Sequence, residues 1–581
     1  MARMKQAVKA LVRWGWFGLL VFVAFGYLVA GLSKPSEKSN LSTVPGTAVG
    51  LSTAPDAAIG VGSPANTPSA LSISQNAVVA ASIARVNSAW QSELSEAGLT
   101  PALPADWLTV CRRTSLALVG SGLSLEEIRE LQKVPEEQRT AIHLDNLLHD
   151  SRYHHYWGER WTRFLVGTDG GQFIAYRRRR FRSWLTSTFQ ENWSYDRLVR
   201  TLITAEGLWT DRPEVNFYTA TYDSNDGNPD PVRLAARTSR AFLGLRIDCL
   251  QCHDDFLGNV SLGDIDDPRE GLQTDFHQLA AFFTSAEANG LQGIRNDVVD
   301  YKYLYLDAEE EVEVQAGVPY QPELLPAEGD PRDRLATWIT SPKNRQAARA
   351  GVSHVWALMF GRPIEESVDN LPLTAGSNPV LEGLTTHFIE SNFDIRSLIR
   401  VIAGSNAFTV DSRLLDSEVT IEHESRGAVF PLVRLRPEQV ASTVIQASRV
   451  KKTDRDSSFL LQLQTLIGNS DFVKRYGDVG EDEFDNESIT ISQRLLVMNG
   501  ELTRDLIDFN PVMNVTAHAE MFSRDDQHLV ENIYLSVLNR FPTPTESEHF
   551  VNRIDEAKER RTAVEDMVWV LLNSSELAWN H

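Results

Sequence analysis

The chain contains three cysteines, and two of them stand two residues apart and are followed at once by a histidine. Cys249, Cys252 and His253 form a C-x-x-C-H pattern within "RIDCLQCHDDFLG", residues 246–258. At this spacing each thiol can add to one vinyl group of a porphyrin, and the imidazole that follows becomes an axial ligand of the iron. The pattern therefore predicts covalently attached haem c, with Cys249 and Cys252 as anchors and His253 as the proximal ligand.

Three alternatives to haem stay open for this motif. The two cysteines could form a redox-active or structural disulfide. A zinc site would need four ligands, and Cys249, Cys252 and His253 supply at most three, two of them on adjacent residues. A degenerate motif that binds nothing is the third. Cys111 stands among apolar residues in "LTVCRRTSLALVG" and is predicted to be a small buried side chain.

A second axial ligand, if the iron has one, would come from a histidine or a methionine elsewhere in the chain. His277 follows the motif in "TDFHQLAAFF", and His354 and Met359 lie together in "SHVWALMFG". Each is a candidate second ligand, although an ordinary packed or surface residue is the simpler interpretation of all three.

The N-terminus predicts export and membrane attachment. Four basic residues within segment 1–13 precede an uncharged apolar stretch, 14–33, that is long enough to span a bilayer. Positive charge ahead of such a span predicts a cytoplasmic N-terminus and a folded part outside the cytoplasm, in the periplasm. A cleaved signal peptide is the alternative, but no clean cleavage site follows the apolar run.

The composition of the chain limits which partners it can bind and how many disulfides it can form. The formal net charge is −22, which argues against a nucleic-acid partner because phosphate binding requires positive charge. An exported protein faces an oxidising compartment, yet three cysteines are too few for a disulfide scaffold. Cys249 and Cys252 are therefore predicted to serve a local chemical function rather than to cross-link the fold.

Apolar periodicity predicts a mainly α chain with two helical domains and one minor β hairpin or extended insert. Strand-like alternation is best in "YKYLYLDAEEEVEVQAG", residues 301–317. The predicted segments after the span are a disordered tether at 34–76, a helical domain with the C-x-x-C-H motif at 77–290, an insert or linker at 291–329, and a helical companion domain at 330–581.

Over nearly all of 105–581 the chain resembles the planctomycete-specific cytochrome-c-like proteins, in which a domain of unknown function with C-x-x-C-H precedes a planctomycete-specific companion domain. The stretches that carry the resemblance include "CRRTSLALVGSGLSLEEI", "SRAFLGLRIDCLQCHDD", "DFHQLAAFF", "DRLATWITSPKN", "HVWALMFGRPI", "HFIESNFDIRSLIRVIAGSNAF" and "VEDMVWVLLNSSELAWNH". Taken together these stretches are specific, whereas any one alone would be weak.

The resemblance implies thioether roles for Cys249 and Cys252 and a proximal ligand role for His253. The chain also departs from the family. Members often carry a second histidine two places after the motif histidine, and here that place is Asp255. On the later helix the family histidine falls at the position of Leu358, while this chain has His354 instead. Both departures put a fixed second ligand in doubt.

We therefore expect a membrane-anchored, extracytoplasmic c-type haem protein that transfers electrons to a redox protein partner or performs a haem-dependent redox step. The alternative from a different class is a non-catalytic cell-envelope scaffold or interaction protein, with a Cys249–Cys252 disulfide or a vestigial motif. Its basis is size, since most of the predicted helices have no part in the motif.

Overall fold

The computed structural model describes residues 70–168, 176–225, 227–264, 267–297, 299–306, 308–373, 378–452, 484 and 515–581. These residues belong to one compact unit that runs from Pro68 to His581. The described fold is mainly helical with a few two-stranded sheets, which confirms the prediction of a mainly α chain.

Ten helices lie before residue 300 in the described part of the chain. They are α1 (Ala70–Glu96), α2 (Trp107–Val119), α3 (Leu125–Gln132), α4 (Glu136–His149), α5 (Ser151–Val166), α6 (Arg178–Gln190), α7 (Tyr195–Ile203), α8 (Asn216–Thr219), α9 (Pro231–Thr238) and α10 (Gln273–Ala280). Local signals set several of these bounds. Asp106 caps α2, and Ser124 with Glu127 forms the capping box that the sequence predicted for α3.

Eleven more helices follow in the described residues beyond 300. They are α11 (Pro331–Ile339), α12 (Arg345–Phe360), α13 (Pro379–Glu390), α14 (Ile395–Ala403), α15 (Asn406–Thr409), α16 (Ile421–Ser425), α17 (Pro437–Ala447), α18 (Val515–Phe522), α19 (Asp526–Val537), α20 (Pro544–Glu556) and α21 (Arg560–Leu572). Proline at the first helical position starts α11, α13, α17 and α20, because that position needs no backbone donor.

Within the described residues, the strands form four antiparallel pairs. They are β1 (Ser261–Gly263) with β2 (Pro268–Glu270), β3 (Ala286–Ala288) with β4 (Ile294–Asn296), β5 (Lys302–Tyr303) with β6 (Val312–Glu313), and β7 (Val433–Arg434) with β8 (Trp579–Asn580). The β5–β6 pair aligns Tyr303 with Val312 and lies inside the segment predicted as a hairpin. The β1–β2 pair follows the C-x-x-C-H motif directly.

Helix α1 begins at Ala70, inside the segment predicted as tether. It packs against residues much later in the chain, near Gly404 and Gly427. The polar composition of 70–76 favoured a tether, but a helix once nucleated extends at low cost. Trp90 donates a hydrogen bond from its indole nitrogen to the carbonyl of Gly427 at 3.0 Å. Gly404 lets the helices approach closely, since a Cβ there would lie 2.6 Å from Ile83 Cδ1.

The largest buried apolar cluster therefore draws on helices from both predicted domains. It runs from Val86 in α1 to Phe430, and it includes α5, α10 and α12. A second cluster contains α17, α19 and α21, together with Leu116 of α2. Arg113, fully buried on α2, donates to the carbonyls of Phe408 and Val410 at 2.9 and 2.7 Å. The predicted division near residue 330 is thus crossed by packed core and by buried hydrogen bonds.

Within the residues that the structure describes, no helix combines the length and apolar composition needed to cross a bilayer. The predicted basic segment 1–13, the predicted span 14–33 and the predicted tether up to residue 69 lie outside the described residues.

Truncation of Trp90 tests whether α1 belongs to the folded core. We expect Trp90→Ala to lower the free energy of unfolding by about 3–5 kcal/mol, because it removes a large side chain that is 4% exposed and its hydrogen bond. Urea denaturation of the full chain measures this. Gln91→Ala, at an exposed position of the same helix, is the control and should change stability by less than about 0.5 kcal/mol. Equal stability of both variants would show that α1 is peripheral.

Candidate functional site

The C-x-x-C-H motif lies on a short exposed turn between α9 and β1. A 3-10 helix, Asp248–Gln251, carries the first cysteine, and Cys252 follows directly after it. Leu250 between them is fully buried and anchors the turn in the core. Cys249 and Cys252 are both exposed free thiols, whereas Cys111 is a buried free thiol, as the sequence predicted.

The side chain of His253 is exposed, and one of its ring nitrogens has a backbone hydrogen-bond partner. Its Nδ1–H donates to the backbone carbonyl of Asp254 at 2.6 Å. A carbonyl oxygen only accepts, so Nε2 carries the lone pair of the neutral ring. The ring lies parallel to that of Phe256, with centroids 6.1 Å apart. An Nδ1–H held by a carbonyl with Nε2 left as an acceptor is the usual arrangement of a metal-binding histidine.

The backbone of the motif is held by one carbonyl oxygen, that of Gln251. Three side-chain donors converge on it: Gln273 Nε2 at 3.1 Å, His277 Nε2 at 3.1 Å and Tyr303 Oη at 3.2 Å. Gln273 and His277 lie on α10, and Tyr303 lies on β5, inside the segment predicted as an insert. Both elements thus fix Gln251, one of the two residues between the cysteines.

Asp254 and Asp255 follow the motif, and both accept hydrogen bonds that hold the chain where it leaves the turn. Asp254 Oδ1 accepts from the backbone N–H of Gln273 at 2.6 Å, at the start of α10. A carboxylate at a helix N-terminus is favourable because the free N–H groups carry partial positive charge. Asp255 accepts from the N–H groups of Val260 and Leu257 at 2.5 and 3.0 Å, and the Val260 bond is the first cause that lowers the pKa of this carboxyl.

His277 is the predicted second-ligand candidate that the structure brings to the motif. It is fully buried, and burial lowers the pKa of its imidazole. Besides its bond to Gln251, its Nδ1 lies 2.8 Å from Tyr301 Oη, and its ring stacks on Tyr303 at 3.5 Å. Both ring nitrogens of His277 therefore have hydrogen-bond partners. The side chain of His277 contacts the motif at the backbone carbonyl of Gln251.

His354 lies in a different environment, among aromatic side chains of α5. Its ring stacks on Phe164 at 3.7 Å and meets Trp161 edge-on at 4.8 Å. Burial, with the nearby guanidinium groups of Arg160 and Arg436, lowers the pKa of His354 to about 3. Neither ring nitrogen has a hydrogen-bond partner among the described residues. Met359, on the same α12, is fully buried in the large core. Iron ligation by either residue stays a prediction.

The surroundings of the motif combine exposed apolar side chains with a nearby cavity. Phe256 and Leu257 are 76% and 83% exposed, which is unusual for such large apolar residues. A cavity of about 420 Å³ lies beside the turn, lined by residues 245–247, 259–261, 365–366 and 370–373. The three motif side chains do not line this cavity, so their open side is the protein surface.

Of the side chains that hold the Gln251 carbonyl, the sequence analysis named His277 but missed Gln273 and Tyr303. Gln273 donates to the motif and also accepts from the N–H of Leu306, but a single glutamine gives no pattern. The tyrosines did leave a signal. Tyr301, Tyr303 and Tyr305 alternate in "YKYLYL", and alternation in an extended segment puts side chains on one face. The pattern predicted a strand pair but not its contact with α10.

Two consecutive segments of the chain match planctomycete cytochrome-like domain families, in agreement with the resemblance seen in the sequence. Residues 85–288, which contain the motif, match PSCyt2, a protein of unknown function (DUF1549), and residues 331–466 match PSD1, a protein of unknown function (DUF1553). No curated protein and no solved structure matches the chain.

Thiol alkylation tests the arrangement of the cysteines. We expect the native reduced chain to react with two equivalents of iodoacetamide, at Cys249 and Cys252, and to take up a third only after denaturation. Burial and the Asp255 carboxylate raise the pKa of Cys249, so its rate should still increase above pH 9 as the thiolate forms. Peptide mass spectrometry assigns each site. Native labelling of Cys111 would contradict its burial, and protection of the pair without reductant would indicate a disulfide.

Proposed function

We propose that the protein is an extracytoplasmic c-type haem protein that transfers single electrons, tethered to the membrane through segment 14–33. Cys249 and Cys252 attach the haem, and His253 binds its iron. The observation that carries the proposal is the state of His253, an exposed side chain whose Nδ1–H is donated to the Asp254 carbonyl, so that Nε2 carries the lone pair.

The residues around the motif fit this group. Both thiols are free and exposed at the two-residue spacing that thioether attachment needs. Phe256 and Leu257 supply exposed apolar surface beside His253, and a flat apolar macrocycle would cover such surface. Haem c, when bound, would supply a one-electron redox couple whose potential the axial ligands and the local polarity set.

The chain contributes orientation and charge to this function. The hydrogen bond from His253 to the Asp254 carbonyl fixes the ring tautomer and makes Nε2 the ligand atom. The Gln251 carbonyl and its donors hold the cysteine-bearing turn on α10. The acidic surface implied by the net charge of −22 favours a redox partner with a basic docking face.

Haem staining in a maturation-competent host tests the attachment. We expect a band of about 65 kDa on a denaturing gel to show haem peroxidase activity, since the chain mass is 65.0 kDa and thioether bonds survive denaturation. The Cys249→Ala/Cys252→Ala variant should lose the stain. Cys111→Ala is the matched control and should keep it, because Cys111 lies apart from the motif in a buried cluster.

His253→Ala separates attachment from iron ligation. This variant should retain some covalent haem but show a shifted Soret absorption, because the iron has lost its imidazole ligand. Absence of stain from the unmodified chain, with both thiols recovered free or as a disulfide, would rule out the haem function. An envelope scaffold or interaction protein would then be the better description of the chain.

A further inference from the structure

The hydrogen bond between Tyr301 and His277 has a defined direction. His277 Nε2 faces the Gln251 carbonyl at 3.1 Å, and a carbonyl can only accept, so Nε2 carries the proton. Nδ1 of the neutral ring is then a lone pair, and it accepts the phenol proton of Tyr301 at 2.8 Å. Tyr301 is therefore a phenol whose proton already points at a base.

Tyr303 offers an internal comparison. Its ring stacks on the same imidazole at 3.5 Å, but its hydroxyl donates to the Gln251 carbonyl at 3.2 Å. An amide carbonyl is a far weaker base than an imidazole, so the Tyr303 proton has no comparable acceptor there. Tyr305 contacts the rings of both His277 and Tyr303, with centroids 5.7 and 5.3 Å away. Three tyrosines thus surround one histidine, and Tyr301 has its hydroxyl directed at a ring nitrogen of it.

The environment keeps both partners neutral before any reaction. His277 is fully buried on α10, and burial lowers the pKa of its imidazole. Burial raises the pKa of Tyr301, and the phenols of Tyr303 and Tyr305 and the carboxylate of Asp230 act in the same direction. At neutral pH the phenol keeps its proton and Nδ1 can receive one.

We propose that Tyr301 and His277 form a redox-active tyrosine–histidine pair beside the C-x-x-C-H motif. A one-electron oxidant removes an electron from the Tyr301 ring while its hydroxyl proton moves to His277 Nδ1. The products are a neutral tyrosyl radical and an imidazolium that keeps its Nε2–H bond to Gln251. Return of one electron from a reductant sends the proton back to the phenol, so charge and atoms balance over the cycle.

This inference goes beyond the proposed electron transfer, because tyrosine is oxidised only at a potential well above that of a c-type haem. The oxidant is instead a high-potential one-electron acceptor such as an oxygen-derived radical. The pair also contacts the motif directly. His277, the base for Tyr301, donates a hydrogen bond to the Gln251 carbonyl of the motif. The chemistry of the pair itself does not require haem. It can be tested on the full-length chain prepared without haem, so that a failed haem experiment and a failed tyrosine experiment remain distinguishable.

Flash photo-oxidation followed by electron paramagnetic resonance tests the pair. The haem-free chain, with its exposed thiols capped by iodoacetamide, is oxidised by photogenerated tris(bipyridine)ruthenium(III), with persulfate as the sacrificial electron acceptor. We expect a long-lived tyrosyl signal whose formation is slower in D₂O, because the proton moves with the electron. Tyr301→Phe should abolish this signal, while Tyr303→Phe, the matched control, should leave it in place.

His277→Gln distinguishes proton acceptance from a structural role. Glutamine can still donate a hydrogen bond to the Gln251 carbonyl but cannot act as a base, so tyrosyl formation should slow about 100-fold, the lower value typical of a positioned base. Formation should also slow as the pH falls through the lowered pKa of His277. A signal that persists in Tyr301→Phe, or that is lost equally in Tyr303→Phe, would overturn the proposal, as would unchanged kinetics in a folded His277→Gln.

Discussion

The carbonyl oxygen of Gln251 is the acceptor on which the position of the C-x-x-C-H turn depends. Within the turn the Cys252 N–H donates to the Cys249 carbonyl, but the Gln251 carbonyl takes its donors from other elements. Side chains from α10 and β5 supply the missing donors. The turn is therefore held through its backbone. The side chains of Cys249, Cys252 and His253 are not needed to hold it against α10 and β5. Their exposure follows from this division of roles.

The same constraint explains why the segment 291–329 is more than a connection between domains. Its strand β5 brings Tyr303 to the Gln251 carbonyl, and Tyr301 two positions earlier reaches His277 from the same face. The alternation of the strand thus places two phenols on one histidine. The packing of α1 against the later helices joins distant parts of the chain in a similar way. The large apolar core includes residues from both matched segments.

Much of the fold could be predicted because helices and caps are local. The capping box at Ser124 and the hairpin inside 301–317 follow from neighbouring residues, and the structure has both. Of the candidate site, only the C-x-x-C-H residues could be predicted, since their pattern is local. Which side chains would meet Gln251 depends on how α10 and β5 dock, and periodicity shows which face is apolar but not what it contacts. His277 was therefore identified as a candidate without its actual partners.

The partners of the histidines also bear on how the chain could use a haem. A second axial ligand needs a free nitrogen or sulfur beside the iron, but both nitrogens of His277 are bound, to Gln251 and to Tyr301. To ligate iron, His277 would have to release the carbonyl that positions the cysteines. Among the described residues the His354 nitrogens have no hydrogen-bond partner, yet the ring is enclosed by Trp161 and Phe164 of α5. His277 thus acts on the motif through the hydrogen bonds that it donates and accepts, and iron ligation by His253 stays a prediction.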